Sequence, residues 1–443
     1  MSTRREFLLT AGATSMALSG LSACGGSSAS GSTVIPPTPL PAVPILVIIN
    51  IDGGYDWLNV MPPISGANAT TYHDLRPSLK IDPATVLDLG NGVGLNSDLT
   101  GLGELSQQGR VAWLPGIGMA NFSLSHFTAI DLWGQGAATP ADSGWLGRFA
   151  DSAFNAAGDV LRGITVTSDL PIMLKGGNRS FVSITNSSGY VFPAKLTGNA
   201  IGAPYDATLL ENGLASAVNA ASPYPGYLLA SVPTKLFLDA QNQFGTNGQL
   251  PARTPTVLYP GDAGYPEKRL DGGNLSASLS NQLKLIAQMI ASGLPGQVYF
   301  ARLGGWDTHS NQATDHPNLQ RVLGGAIRAF YDDLKSISTT PGMAQDRLMV
   351  LGYSEFGRRV KENNGGTDHG TAGLAFCLGN AVKGGLYGSY PDLTSLDANG
   401  NMRYSATADF RSLYATVLDR WLGQATTTTN TLLGSNYPRF GFL

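Results

Sequence analysis

The sequence predicts an α/β fold, a doubly wound, mostly parallel sheet with helices on both faces and a less regular insertion. Three observations carry that reading. Short apolar runs rich in Val, Ile and Leu recur along the chain, each of strand length. Helix-period apolar patterns stand between several of them. Polar and titratable residues cluster just after those runs. Strands that alternate with helices build parallel sheets, because two parallel neighbours need a long crossover between them.

The first run, Pro44-Ile45-Leu46-Val47-Ile48-Ile49-Asn50-Ile51, is continuous and β-branched, the pattern of a central strand buried on both faces. Similar runs follow at Val111 to Leu114, Gly163 to Thr167, Val298 to Leu303, Leu348 to Leu351 and Leu374 to Leu378. Leu279, Leu283, Ile286, Met289 and Ile290 share one face of a helix. In the next helix, Asn318 to Ile337, the shared face carries Leu319, Val322, Leu323, Ile327, Phe330 and Leu334. Near the C-terminus Asp409 can cap a helix bearing Phe410, Leu413, Tyr414, Val417, Leu418 and Trp421. Residues 176–275 have weaker periodicity and more Gly, Pro, Ser and Asn, and read as an insertion or cap within a single domain, 44–443.

The N-terminus reads as an export signal. Arg4-Arg5 followed by Phe7-Leu8-Leu9 resembles the twin-arginine translocation motif, and the stretch from Phe7 to Leu21 is too short and too rich in small residues for a membrane span. Leu21-Ser22-Ala23-Cys24-Gly25 resembles a lipoprotein cleavage box. There the Cys24 thiol would take a diacylglyceryl group, and two chains anchor stably where one does not. The alternative is ordinary cleavage with Cys24 incidental. Residues 1–24 are thus the signal and 25–43 a flexible Gly/Ser/Pro linker. The expected partners are the twin-arginine machinery and a membrane reached through Cys24. The expected place is the periplasm or envelope. Twin-arginine export carries folded proteins, which suits a domain that takes up a metal before crossing.

Without residues 1–23 the chain has 26 basic and 30 acidic residues, so no basic excess points to nucleic acid. Of two cysteines one is Cys24, so if Cys24 is lipidated, Cys377, in an apolar run, has no partner for an intrachain disulfide.

Chemistry in open parallel sheets gathers beyond the carboxyl ends of the strands. Asp52-Gly53-Gly54 follows the first run. Asp52 is either an ion ligand, with the glycines leaving room beside it, or a turn-capping carboxylate. Ser125-His126 follows the second run, and Ser125 is either an N-cap or a hydroxyl set against helix amides. His126 is a ligand, a base or a packed core residue. Asp307 and His309 stand two apart at the exit of the Val298 run, where both reach one metal if the backbone bends. Thr314-Asp315-His316-Pro317 repeats the pair just before a helix, which Asp315 could cap. Glu355 and Arg358-Arg359 follow the Leu348 run. The arginines either orient an anionic substrate or form surface ion pairs. A Gly/Asn loop then leads to Asp368-His369. Three of five histidines fall at predicted strand exits of one sheet, an arrangement that suits a metal site.

Asp52-Gly53-Gly54, Ser125-His126-Phe127, Gly144-Trp145-Leu146-Gly147-Arg148, Trp306-Asp307-Thr308-His309, Ser354-Glu355-Phe356-Gly357-Arg358-Arg359 and Thr367-Asp368-His369-Gly370 together resemble the bacterial family called domain of unknown function 1501. That family is grouped with the alkaline-phosphatase-like superfamily of phosphatases, sulfatases and phosphomutases. The resemblance implies a doubly wound α/β fold, one or two divalent ions (zinc, manganese, iron or calcium) and hydrolysis of a phosphate or sulfate ester on a small anionic substrate. It implies Ser125 as nucleophile, or a metal-activated water in its stead, with His126 and Arg358 beside it. Asp52, Asp307, His309, Glu355, Asp368 and His369 stand as metal ligands. Where the superfamily usually has Asp-His, this chain has Glu355-Phe356. That departure keeps open a non-catalytic envelope protein with a structural metal. Paired carboxylates such as Asp52 and Glu355 also leave open a glycan-active enzyme.

Overall fold

The computed structural model describes residues 43–443 except 121, 138–140, 155–159, 178, 180, 188–248, 341 and 404–407. The signal, Cys24, nearly all of the linker and most of the 176–275 insertion lie outside the described residues. The described part of that insertion comprises a short strand, Val182–Ser183, with its flanking residues, and turns and loops from 249 to 275.

Among the described residues twelve strands run in chain order as β1 (Ile45–Ile51), β2 (Val86–Asp88), β3 (Gly94–Asn96), β4 (Val111–Ile117), β5 (Gly163–Thr165), β6 (Val182–Ser183), β7 (Val298–Leu303), β8 (Leu348–Tyr353), β9 (Gly357–Asn363), β10 (Gly366–Gly370), β11 (Gly373–Leu378) and β12 (Gly385–Leu386). Eight of them form one sheet in the order β12-β4-β11-β8-β1-β7-β5-β6. Every neighbouring pair is parallel except those made by β11, which runs antiparallel between β8 and β4. The expected mostly parallel sheet is therefore present, and β1 lies inside it between β7 and β8.

All seven residues of β1 are buried, as a strand covered on both faces requires. Its alternate side chains enter two cores. Ile45, Val47, Ile49 and Ile51 pack against α1 (Gly66–Leu75), α2 (Thr100–Gln107), α5 (Ser278–Ala291) and α6 (Gln312–Asp333) through Tyr72, Leu102, Leu283 and Ile327. Leu46 and Ile48 pack on the other side against α3 (His126–Gln135), α4 (Trp145–Ala153), α7 (Phe410–Thr416) and α8 (Thr426–Leu433) through Trp133, Phe149, Tyr414 and Leu433. Asp409 caps α7, its carboxylate accepting from the Arg411 amide at 2.9 Å. Among the described residues no helix is long and apolar enough to cross a membrane.

Two expectations are corrected here. Asp315 does not cap the long helix. That helix starts earlier, at Gln312, after Asn311 in a left-handed turn, so Asp315 is an exposed first-turn acid and His316 is buried. The Gly/Asn loop before His369 is the tip of a hairpin, β9 against β10. Asn364 and Gly365 both take positive φ, the two-residue turn that Asn-Gly favours.

The Gly144–Arg148 motif does structural work. A Cβ on Gly144 would lie 2.0 Å from the Ile172 carbonyl, and one on Gly147 would lie 2.1 Å from Lys175 backbone. Arg148 donates to the carbonyls of Gln135, Ser143 and Leu432, tying α4 to the end of α3 and to α8.

Candidate metal centre

β1, β4, β7 and β8 all point the same way, so their carboxyl ends open on one edge of the sheet. Past that edge the chain brings together Asp307 and His309 from the β7 exit, Glu355 from the β8 exit, His126 from the start of α3 and His369 from the hairpin. The bend required between Asp307 and His309 comes from two three-residue turns, with the Thr308 amide donating to Trp306 and the His309 amide to Asp307. The hairpin register sets His369 directly opposite Arg358.

Asp307 Oδ1, His309 Nε2 and His369 Nε2 form a triangle whose three sides are each 3.0 Å. Bond lengths of about 2.1 Å in a six-coordinate ion place neighbouring ligands about 3 Å apart. His126 stands behind, its Nε2 3.5 Å from Asp307 Oδ2. His126 can join them, since one donor atom from each of His126, Asp307 and His369 also fits within 4.8 Å.

The proton positions follow from the far nitrogen of each ring. His369 Nδ1 meets the Leu124 carbonyl at 2.8 Å, and a carbonyl only accepts, so Nδ1 carries the hydrogen. His126 Nδ1 meets Glu355 Oε1 at 2.7 Å, and His309 Nδ1 lies 3.7 Å from the Asp368 carboxylate. In the neutral rings the Nε2 atoms of His126 and His369 therefore turn lone pairs towards Asp307. His126 Nε2 is buried with no hydrogen-bond partner. Such convergence is repulsive unless a cation or a shared proton sits among the donors, and rings tethered by carboxylate or carbonyl acceptors are the usual second half of a metal ligand. The residues fit a metal ion.

The hydrogen bond to Glu355 raises the His126 pKa, burial opposes it, and the charges of Glu355 and Asp307 add to the rise. Burial works against ionising Asp307, but Arg358 and His369 outweigh it and bring its pKa down to about 2.

The other expected site residues sit differently. Glu355 is fully engaged, Oε1 accepting from the Gly53 amide and from His126, Oε2 from Ser354. It orients His126 and completes no donor triangle. Asp368 is on the outer side of His309. Asp52 is half-buried, 4.0 Å from Arg302. Burial first, and then the charge of Glu355, raises its pKa. The glycines after it let the backbone pack closely against the β7 exit and Phe356. A Cβ on Gly53 would lie 2.6 Å from the Asp307 amide and one on Gly54 2.1 Å from the Phe356 ring. Ser125 is exposed and caps α3 without a side-chain bond. Arg358, expected to meet an anionic substrate, is wholly buried. It donates to the carbonyls of Gly53, Gly54, Trp306 and Thr367 and to Asp307 at 2.6 Å. It braces three strand exits and turns no free edge outward. Arg359 lies half-buried, 3.8 Å from Asp368.

Beneath the site runs a buried network that sequence patterns did not reveal. Arg76 forks onto Asp56, which also accepts from Gln312, and the Gln312 oxygen accepts from Thr308 and Thr367. His316 adjoins it, edge-on to Trp306. Burial drives the His316 pKa down from 6.5 to about 4, against the pull of Asp56. A depressed histidine pKa means that between those values the unfolded chain binds a proton that the fold refuses. Stability should therefore fall as pH drops from about 6.5 to about 4, by on the order of 3 kcal/mol, and level off below. Urea midpoints of wild type and His316→Gln across that range test it. Parallel curves would refute the assignment.

No curated protein matches the chain. Among solved structures it is similar to a candidate sulfatase from Bacteroides thetaiotaomicron VPI-5482, with 10% identity and a TM-score of 0.26, over 77% of this chain and 65% of that one. It is also similar to a 2-O GAG sulfatase, with 12% identity and a TM-score of 0.26, again over 77% and 65%. The chain thus spans just under two thirds of the length of either structure. Residues 278–432, which hold Asp307, His309, Glu355, Arg358 and His369, match the family described as "Protein of unknown function (DUF1501)".

Proposed function

We propose that the chain is an exported, metal-dependent hydrolase of phosphate or sulfate esters. The observation that supports it is the convergence of Asp307, His309 and His369 on one point, with an unpartnered His126 Nε2 beside them. Asp307, His309 and His369 would hold the ion. Two imidazoles and a carboxylate suit zinc, manganese or iron better than calcium, which takes oxygen ligands. When bound, a divalent cation supplies Lewis-acid stabilisation of charge on the ester oxygens.

The chain's own part falls to His126. Its Nε2 accepts a proton from the attacking water, or from the neighbouring Ser125 hydroxyl. Glu355 holds the ring and stabilises the imidazolium that results. As the new bond to phosphorus or sulfur forms, the ester P–O or S–O bond breaks, and the departing oxygen takes the proton back from His126; on the serine route a water, giving its proton to the same nitrogen, then displaces the Ser125 oxygen, which takes that proton back. Export rests on Arg4-Arg5 and the apolar stretch after them, and a lipid anchor on Cys24.

A second reading is a non-catalytic envelope binding or assembly protein with a structural metal. The exposed Ser125 without a side-chain bond and the fully engaged Arg358 favour it. A panel of aryl phosphates and sulfates, assayed after reconstitution with zinc, manganese or iron(II), separates the two. Turnover abolished by a chelator and restored by metal supports the hydrolase. No turnover of any ester supports the binding protein.

A further inference from the structure

Among the described residues only two aromatic side chains are exposed, Phe127 at 84% and Phe122 at 42%. Both lie in the stretch 122–127 that leads into the site. Leaving a phenylalanine in water forgoes the free energy of burying its ring. A single exposed apolar residue is ordinary. Two in one six-residue stretch, on a chain that covers every other described aromatic at least in part, point to a surface kept for a ligand.

Their positions fit that use. His126 is the first residue of α3 and Phe127 the second, so a rigid helix presents both. The Leu124 carbonyl between the two phenylalanines holds His369. Phe122 shares a small cleft with Glu355 and Phe356. Asp307 and His309, half exposed, supply the polar counterpart. Phe122 thus lines the cleft that holds Glu355, and Phe127 follows His126 directly in the helix. We infer that Phe127 and Phe122 determine specificity by seating a ring-shaped apolar face next to the anionic group. The substrates are then esters borne on an aryl or pyranose ring, in preference to open-chain or inorganic ones. Aromatic side chains hold such faces by stacking. The inference rests on the hydrolase reading for the anionic group but not for the ring.

The test compares phenyl phosphate, a pyranose sulfate and methyl phosphate as substrates of metal-loaded wild type, Phe127→Ala and Phe127→Trp. The preference in kcat/KM for the ring esters over methyl phosphate should fall about tenfold in Phe127→Ala and return in Phe127→Trp. The two ring substrates tell an aryl from a sugar occupant. An unchanged preference overturns the inference. If no ester is turned over, phenylphosphonate and methylphosphonate are titrated calorimetrically into the same proteins. Tighter binding of the phenyl compound that Phe127→Ala abolishes upholds the ring site without the hydrolase. Equal binding of the two, or vesicle binding lost in Phe127→Ala with no change in ligand preference, overturns it in favour of a membrane contact.

Discussion

Arg358→Met is expected to lower unfolding stability by about 3–5 kcal/mol, the usual cost of removing one partner from a buried charged network. Arg358 has no exposed side-chain surface, and its guanidinium reaches carbonyls on the β1 and β7 exits and on β10. Its loss strands the carbonyls of Gly53, Gly54 and Thr367, each about 1–3 kcal/mol when left unpaired, less what water recovers, while the Trp306 carbonyl keeps the Thr308 amide. Lysine cannot replace the fork, since one ammonium does not span acceptors on three segments. Arg358→Lys should recover less than half of the loss. Urea unfolding at neutral pH measures both variants. A change below about 1 kcal/mol in Arg358→Met would mean that the network does not hold the exits together.

The second large effect is on turnover. His126→Gln should cut kcat by about 10²–10⁴-fold, the range for losing a general base, with metal content unchanged. Glutamine keeps a donor towards Glu355 but has no group that takes a proton. Glu355→Gln should cost less, because the ring remains and only its orientation and charge support weaken. If His126→Gln instead empties the site of metal, His126 is a ligand and the proton must go elsewhere. If kcat is unchanged, the Glu355–His126 pair has no part in the chemistry.

What could be read from the sequence divides by physical origin. β7 occupies Val298–Leu303, as its apolar run predicts, and β1 and β8 differ from their runs by a residue or two at the ends. Burial on both faces writes itself into composition. The Asp409 cap was equally plain, because a helix start needs a side-chain acceptor. The β9–β10 hairpin was missed because Gly357–Asn363 carries Arg, Lys and Glu and looks like surface. Its Asn364-Gly365 turn was the available signal. Arg358 and Asp56 were unreadable for a related reason. A charged residue in a sequence looks solvated, and only the fold shows that backbone carbonyls from distant segments have replaced the water. Asp307, His309 and His369 were found as candidates because strand exits collect chemistry. The roles of Glu355 and Asp368 behind the rings depend on side-chain direction, which spacing does not determine.

The central claim is that Asp307, His309 and His369 hold a metal ion. Elemental mass spectrometry of the folded protein lacking residues 1–24, after exposure to zinc, manganese or iron(II) and dialysis, tests it most directly. The account predicts about one equivalent of one of these metals in wild type, lost in Asp307→Ala and in His369→Ala while both variants stay folded. A wild type that retains no metal, or variants that retain as much as wild type, would contradict it.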